Sequence, residues 1–382
     1  MKKPLYIFHG SVKDIELLEF PSSKSLGYAV LVFRPSYSIK DLKKMPDEIP
    51  GRESLCAIAA HGFEWLESNG IFTHYEGVEG KDGKPTNLDR LDSPPTRMHI
   101  RFANVHPPEF SVKDGKPSYS YKFYEENRGK LNHFLVPIEW IYRNGLPKGS
   151  SILKELNEAK EKGDSAFIEN MLKKLGLSSM PEPNTMLPRP YANHTTKLED
   201  SDRSLGDDYG DNEALYISGL TKEQFQRIKS FRNKIANLNK ELGAPVGINV
   251  WDGKIEIIWS DRPVLGDVSI GPDECRLFYK GVQVSKEFLR QIYDKYQPEL
   301  NADIKRAQTL AKEEAIKTGK YVDWRKLLRV HPKSLNEIDP RLIPLTGEMH
   351  MALANKLTRR EFYPKAPSLD AVVEELEYYS KK

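Results

Sequence analysis

Cysteine is nearly missing from this sequence of 382 residues, with Cys56 and Cys275 the only two. Two thiols cannot build a disulfide framework or a thiolate zinc site, so the expectation is a pair of reduced cysteines in an intracellular protein. Long apolar runs are missing as well. No stretch is long enough to span a bilayer, and the opening "MKKPLYIFHGSVKDIELLEF" has neither an uninterrupted apolar segment nor a small-residue cleavage site. Both gaps argue against a membrane protein and point to the cytoplasm. A surplus of one charge is also lacking: 58 basic against 55 acidic residues leave a formal net charge of +3, which offers no bulk field for nucleic acid. The nine histidines show no metal-ligand spacing, and no serine or cysteine motif marks a covalent nucleophile.

What is present suits a globular protein with a heavily charged surface, 38% hydrophobic and 30% charged. The length exceeds the usual single domain, which predicts two packed domains or one with large insertions. Residues 1–35 alternate apolar runs with polar breaks, as an antiparallel sheet would. "GRESLCAIAAHGFEWLESNG" predicts a helix closing on Gly70, followed by strands in "IFTHYEGV", "RMHIRFANV" and "FLVPIEWIYR" and an inserted hairpin or loop at 107–130. The segment 178–212 is rich in Pro, Asn, Asp and Ser, lacks either hydrophobic period, and reads as a long irregular loop. After it, "TKEQFQRIKSFRNKIANLNKELG" has a Thr221/Gln224 capping box and an apolar stripe of Phe225, Ile228, Phe231, Ile235, Leu238 and Leu242. That stripe is a core face.

Three stretches carry candidate chemistry. In "VWDGKIEIIWSDRPVLGDVSIGPDECRLFY", 250–279, Asp252, Lys254 and Glu256 take alternate positions of a predicted strand and so share one face. If residues 260–263 turn and Trp259 faces Val264, Glu256 falls opposite Asp267. Facing carboxylates repel unless a proton, a basic group or a cation lies between them, and Mg2+ with phosphate oxygens would resolve the conflict. A solvated face laced by cross-strand salt bridges is the alternative. In "HGSVKDI", the Gly10-Ser11 turn before Lys13 could cradle a phosphate, or be a plain hairpin. In "VPIEWIYRNGLPKGSS", a strand ending at Arg143 returns through Lys148, Gly149 and Ser150 to a helix start, the parts that bind a phosphate monoester. An N-capping serine beside a surface arginine is the competing reading.

Taken in order, "GSVKDI", "PIEWIYRNGLPKGSS", "PRPYANHTTKLEDSD", "DGKIE" and "GDVSIGPDECR" resemble the motif series of the SAICAR synthetase family, over roughly residues 4–295. Ser11 and Val268 depart from the family pattern. The resemblance implies an α+β, two-lobed, ATP-grasp-like fold with antiparallel sheets. It divides the chain into a nucleotide-binding lobe over 1–135, a substrate and metal lobe over 136–295, and a helical C-terminal extension over 296–382. Within the extension, "NADIKRAQTLAKEEAIKTG" and "LDAVVEELEYY" read as helices wrapped on the surface. The implied activity is an ATP-dependent ligase that joins the carboxylate of CAIR to the amine of L-aspartate in purine biosynthesis. A divergent amide ligase or small-molecule kinase is the alternative. The implied roles are Gly10, Lys13 and Glu139 at the nucleotide, Glu256 and Asp267 on Mg2+, and Asp252 and Lys254 beside the reacting groups. Arg143, Ser150 and Arg276 fall to the ribose phosphate. Thr196, Lys197 and Asp202 fall in a substrate loop, expected to be mobile in the free protein.

Overall fold

The structure, a computed structural model, describes residues 3–148, 150–209 and 213–381. A first antiparallel sheet is built from β1 (Tyr6–His9), β2 (Lys13–Glu19), β3 (Gly27–Phe33), β4 (Tyr75–Glu79), β5 (Pro85–Thr86) and β6 (Arg97–Phe102), in the spatial order β1-β2-β3-β6-β4-β5. Helix α1 (Leu55–Ser68) runs between β3 and β4 and ends at Gly70, whose φ of +72° only glycine adopts freely. A separate hairpin, β7 (Glu109–Lys113) and β8 (Lys116–Ser120), followed by α2 (Lys122–Glu126), fills the insertion expected at 107–130.

The second antiparallel sheet takes β9 (Phe134–Leu146), β10 (Thr185–Thr196), β11 (Ser204–Asp207), β12 (Ile248–Trp259), β13 (Pro263–Gly266), β14 (Cys275–Tyr279) and β15 (Val282–Gln283). Its order is β11-β10-β9-β12-β14-β15, with β13 also on β12. Helices α3 (Ser151–Lys162) and α4 (Ser165–Leu175) lie between β9 and β10, and α5 (Glu213–Ile217) follows β11. The central strands are buried on one face by α6 (Lys222–Gly243), whose capping box forms as the sequence predicts. Phe225 of α6 lies 4.9 Å, ring to ring, from Trp140 of β9. Phe225, Ile228, Ile235 and Leu238 are buried, while Phe231 and Leu242 pack at the margin. Two parallel bridges, Thr73 to Leu265 and Asn104 to Phe134, join the sheets.

Two expectations fail here. The segment 178–212 contains two strands, β10 and β11, rather than a long irregular loop; its residues 210–212 lie outside the described chain. Pro188 and Pro190 fall where the β9–β10 register breaks, between Met186 and Tyr191, so their missing N–H groups cost the ladder little. In the β12–β13 hairpin, Trp259 faces Pro263 and Glu256 faces Gly266, one residue off the expected register. A three-residue turn with Asp261 at φ +59° brings Pro263 into the strand. The C-terminal helices are α7 (Glu287–Tyr296), α8 (Pro298–Thr318), α9 (Leu335–Ile338), α10 (Leu342–Thr358) and α11 (Leu369–Lys381); α8 and α11, the two expected on the surface, each bury one face and expose the other, whereas α10, which the sequence does not single out, lies deeper. Leu342, Leu345, Met349 and Leu353 are fully buried in the core that also holds α1. Among the described residues, no helix is long and apolar enough to cross a membrane. Cys56 and Cys275 are buried and free.

Candidate active site

Register turns scattered sequence motifs into rows. Across β12 and β9, Asp252 faces Arg143, Lys254 faces Ile141 and Glu256 faces Glu139; on β14, Arg276 faces Asp252. The rows continue onto β10, where Tyr191 faces Arg143, Asn193 faces Ile141 and Thr195 faces Glu139. Side chains alternate along a strand, so these groups share the face opposite the one that Trp140, Tyr142 and Ile255 bury. The charged face expected of β12 is therefore present, and it lines a cleft.

The facing carboxylates are Glu139 and Glu256, not Glu256 and Asp267. Lysines resolve the repulsion. Lys197 Nζ lies 2.5 Å from Glu256 and 3.3 Å from Glu139, and Lys254 Nζ lies 2.6 Å from Glu139. Burial alone would raise the Glu139 carboxyl, but Lys254 and Lys197 hold it below the usual range. The Thr195 hydroxyl also donates to Glu139, at 3.3 Å.

Asp267 sits one residue beyond β13 with φ +50°, a left-handed conformation that Asp tolerates better than most residues. Lys13 Nζ lies 2.5 Å from Asp267 and 3.8 Å from Glu274. Burial disfavours the Lys13 charge, yet Asp267 and Glu274 outweigh it and hold the ammonium above its ordinary pKa. Glu274 is pushed up to about 7 by burial, against the pull of Lys13 and with the push of Asp273 and Asp267. A cavity of about 800 Å³ opens here, with Gly10, Lys13, Lys197, Glu256 and Asp267 at its charged edge and Leu17, Leu31, Ile100 and Ile258 along its apolar wall. Hydrophobic walls with a few convergent polar groups are the usual make-up of a small-molecule site.

A second recess, about 230 Å³, is bordered by Arg143, Asp252, Lys254, Glu274, Arg276 and Lys286. Asp252 Oδ2 lies 2.5 Å from Arg276 and 3.6 Å from Arg143. Burial depresses the Arg143 pKa and Asp252 opposes that. Arg143 Nε and Nη1 and the Ser150 hydroxyl are buried without a hydrogen-bond partner. Ser150 stands at the N-cap of α3 but makes no side-chain cap, and Arg143 is not on the surface, so the capping-serine reading fails. Gly149 lies outside the described residues.

Most of the expected residues thus gather in two adjoining recesses, with Glu139 between them through Lys197 and Lys254. Thr196 does not. Its side chain is fully buried on the other face of β10, and its hydroxyl accepts from the Arg203 amide at 3.0 Å. Thr195 is the neighbour that reaches the cleft; strand alternation would have selected it had the prolines not disguised β10. Ser150 borders neither recess. Asp202 is open to solvent as a residue, but enclosure of its carboxyl and the nearby Glu139 raise it to about 6, against Lys254 and Lys197. Glu274 and Lys286 were missed; nothing in their local spacing marks them.

A SAICAR synthetase family model matches residues 9–307. A protein of Archaeoglobus fulgidus, provisionally named phosphoribosylaminoimidazole-succinocarboxamide synthase, is 33% identical over 371 residues, 96% of this chain and 98% of the relative. The Thermoplasma acidophilum protein of that name is 28% identical over 274 residues, 69% of this chain and 77% of its own. The solved SAICAR-synthase from Saccharomyces cerevisiae, complexed with SAICAR, shares the fold with a TM-score of 0.52 at 16% identity, over 95% of this chain and 99% of that one. The matched span holds the charged edges of both recesses, and the chain belongs to the SAICAR synthetase family.

Proposed function

We propose that this chain is an ATP-dependent ligase that joins the carboxylate of CAIR to the amine of L-aspartate, giving SAICAR in purine biosynthesis while ATP becomes ADP and phosphate. One observation carries the assignment of groups: a single sheet face runs from a buried arginine with unsatisfied donors, Arg143, to a lysine and carboxylate cluster at the edge of an apolar cavity. The first end suits a phosphate monoester and the second a nucleotide triphosphate. A carboxylate is a poor electrophile, and phosphorylating it creates a leaving group that an amine displaces. That chemistry calls for positioning and charge neutralisation, not a covalent nucleophile.

In this reading the nucleotide base lies against the apolar wall and Lys13 and Lys197 meet its phosphates. Among the described residues, no group of three or more His, Cys, Asp or Glu makes a self-sufficient metal site. Glu256 and Asp267 nevertheless fit Mg2+, a hard cation content with two carboxylates when phosphate oxygens complete its shell. Bound there, it would supply further charge neutralisation. Arg143 and Arg276 bind the ribose phosphate. Asp252, paired to both, is a positioning residue rather than a free base. Lys254, anchored by Glu139, stands between the two recesses beside the reacting carboxylate. The buried free thiols suit the reducing cytoplasm, where we place the protein.

The test is incubation with ATP, Mg2+, CAIR and single amino acids, measuring ADP and amide together. Aspartate alone is expected to give both products. ADP without amide, or amide with a different amine, overturns the assignment. Arg143→Ala is expected to weaken CAIR binding about tenfold or more and leave ATP affinity nearly unchanged. Equal losses would move Arg143 to the nucleotide.

A further inference from the structure

The loop 197–202 carries Lys197 and Asp202 on its cleft side, and its other side is tied down by the C-terminal part of the chain. Asp200 accepts from Arg325 Nη1 at 2.8 Å, and the same guanidinium donates through Nε to the Asp41 carbonyl at 2.7 Å. Arg325 belongs to a 3-10 turn, Trp324–Leu327, just after α8. Its orientation is fixed twice over. Asp323, at the N-cap of that turn, accepts from Arg325 Nη1 at 2.9 Å, and the neighbouring Trp324 is buried. The β7–β8 hairpin closes the remaining side: the Asp200 amide donates to the Tyr119 hydroxyl at 3.4 Å, and the Tyr121 hydroxyl donates to Glu199 at 3.1 Å. At the base, Thr196 pairs with Arg203. The loop is thus held from three directions.

We infer that Arg325 is a positioning residue for the ligase reaction, a latch by which the C-terminal segment holds the loop 197–202 over the cleft. The inference rests on the proposed function for the chemistry it protects. Lys197 reaches Glu256 and Glu139 only while the loop lies against β9, where its amide donates to the Pro137 carbonyl at 3.1 Å. An acyl phosphate open to water hydrolyses before an amine attacks, so a loosened loop costs product yield more than ATP turnover. Arg325 itself borders neither recess, so its effect is transmitted through Asp200.

Two measurements on the full chain decide the matter, using Arg325→Ala, Arg325→Lys and Asp200→Ala. By hydrogen exchange, Arg325→Ala is expected to speed exchange of the amides from 198 to 202 about tenfold or more, with α1 and α6 unchanged. In the assay with ATP, Mg2+, CAIR and aspartate, the amide formed per ADP is expected to fall severalfold, Arg325→Lys to recover part of it, and the double variant Arg325→Ala/Asp200→Ala to be no worse than the single. Unchanged exchange in the loop overturns the latch. So does an equal loss of ADP and amide together with a lower melting temperature, since the arginine would then serve only stability. A wild-type protein that makes no amide defeats the proposed function instead, while the exchange result still judges the latch.

Discussion

A carboxylate in this cleft takes its charge state from the cations that face it. Glu139 is buried and Asp267 half-buried, which favours their neutral forms, but each lies against lysine and stays ionised. Glu274 is the contrast: Lys13 is 3.8 Å away while Asp273 and Asp267 press on it. Folding holds the Glu274 proton up to about pH 7, whereas the unfolded chain releases it near its ordinary 4.5. Between those values the folded state binds more protons, so stability falls as pH rises through the window. Glu274→Gln is expected to flatten that part of the profile, read from urea unfolding at several pH values; an unaltered slope would show that the carboxyl titrates normally. At this scale the sequence was informative about residue type and weak about partners. It showed that acids and bases alternate along β12, but Glu256 meets Glu139 across a strand 117 positions earlier in the chain, and no local pattern encodes that pairing.

Elements were legible where a single period ruled them. Helix α6 carried its cap and its stripe in plain view, and β12 alternated charged with uncharged residues from Asp252 to Ile257. β10 was hidden because its prolines, which report a register break, look like loop residues when the partner strand is unknown. Between elements, close approach matters as much as pattern. A Cβ on Gly253 would lie 2.4 Å from the Tyr142 hydroxyl and 2.9 Å from Cys275 Sγ. That hydroxyl in turn accepts from Asn239 of α6 at 2.8 Å. Gly253→Ala is therefore expected to cost about 1–3 kcal/mol of stability through overpacking, measured by denaturant unfolding. Because Asp252 and Lys254 flank it, activity is expected to drop further than that loss alone explains. A variant with wild-type stability would mean that the β9–β12–β14 core yields more readily than its contacts suggest.

At the scale of the molecule, the C-terminal residues are structural partners of the sheets. α10 has apolar side chains on nearly all sides, a pattern whose periodicity cannot say which face is inward, and it proves to bury most of its circumference, with a strip of Pro344, Glu348, Met351 and Asn355 reaching outward. Gly347 lets it approach so closely that a Cβ there would fall 2.1 Å from the Pro50 carbonyl oxygen. Leu345→Ala is expected to cost about 2–5 kcal/mol, with the melting temperature falling accordingly. Removal of residues 296–382 is expected to leave insoluble protein rather than a smaller ligase; a soluble, cooperatively melting truncation would show that the sheets complete their own core.

The unbroken register of β9 against β12 from Arg143/Asp252 to Glu139/Glu256 also sets a length. The two charge pairs stand four residues apart on extended backbone, roughly 13 Å at the usual rise per residue. Side chains can flex, but covalent geometry and a hydrogen-bonded ladder fix that interval. On the roles proposed above, that interval separates the ribose-phosphate end from the nucleotide end, so a substrate too short or too long to carry its carboxylate across it would be turned away by the backbone itself, and such discrimination by length would last as long as the sheet does.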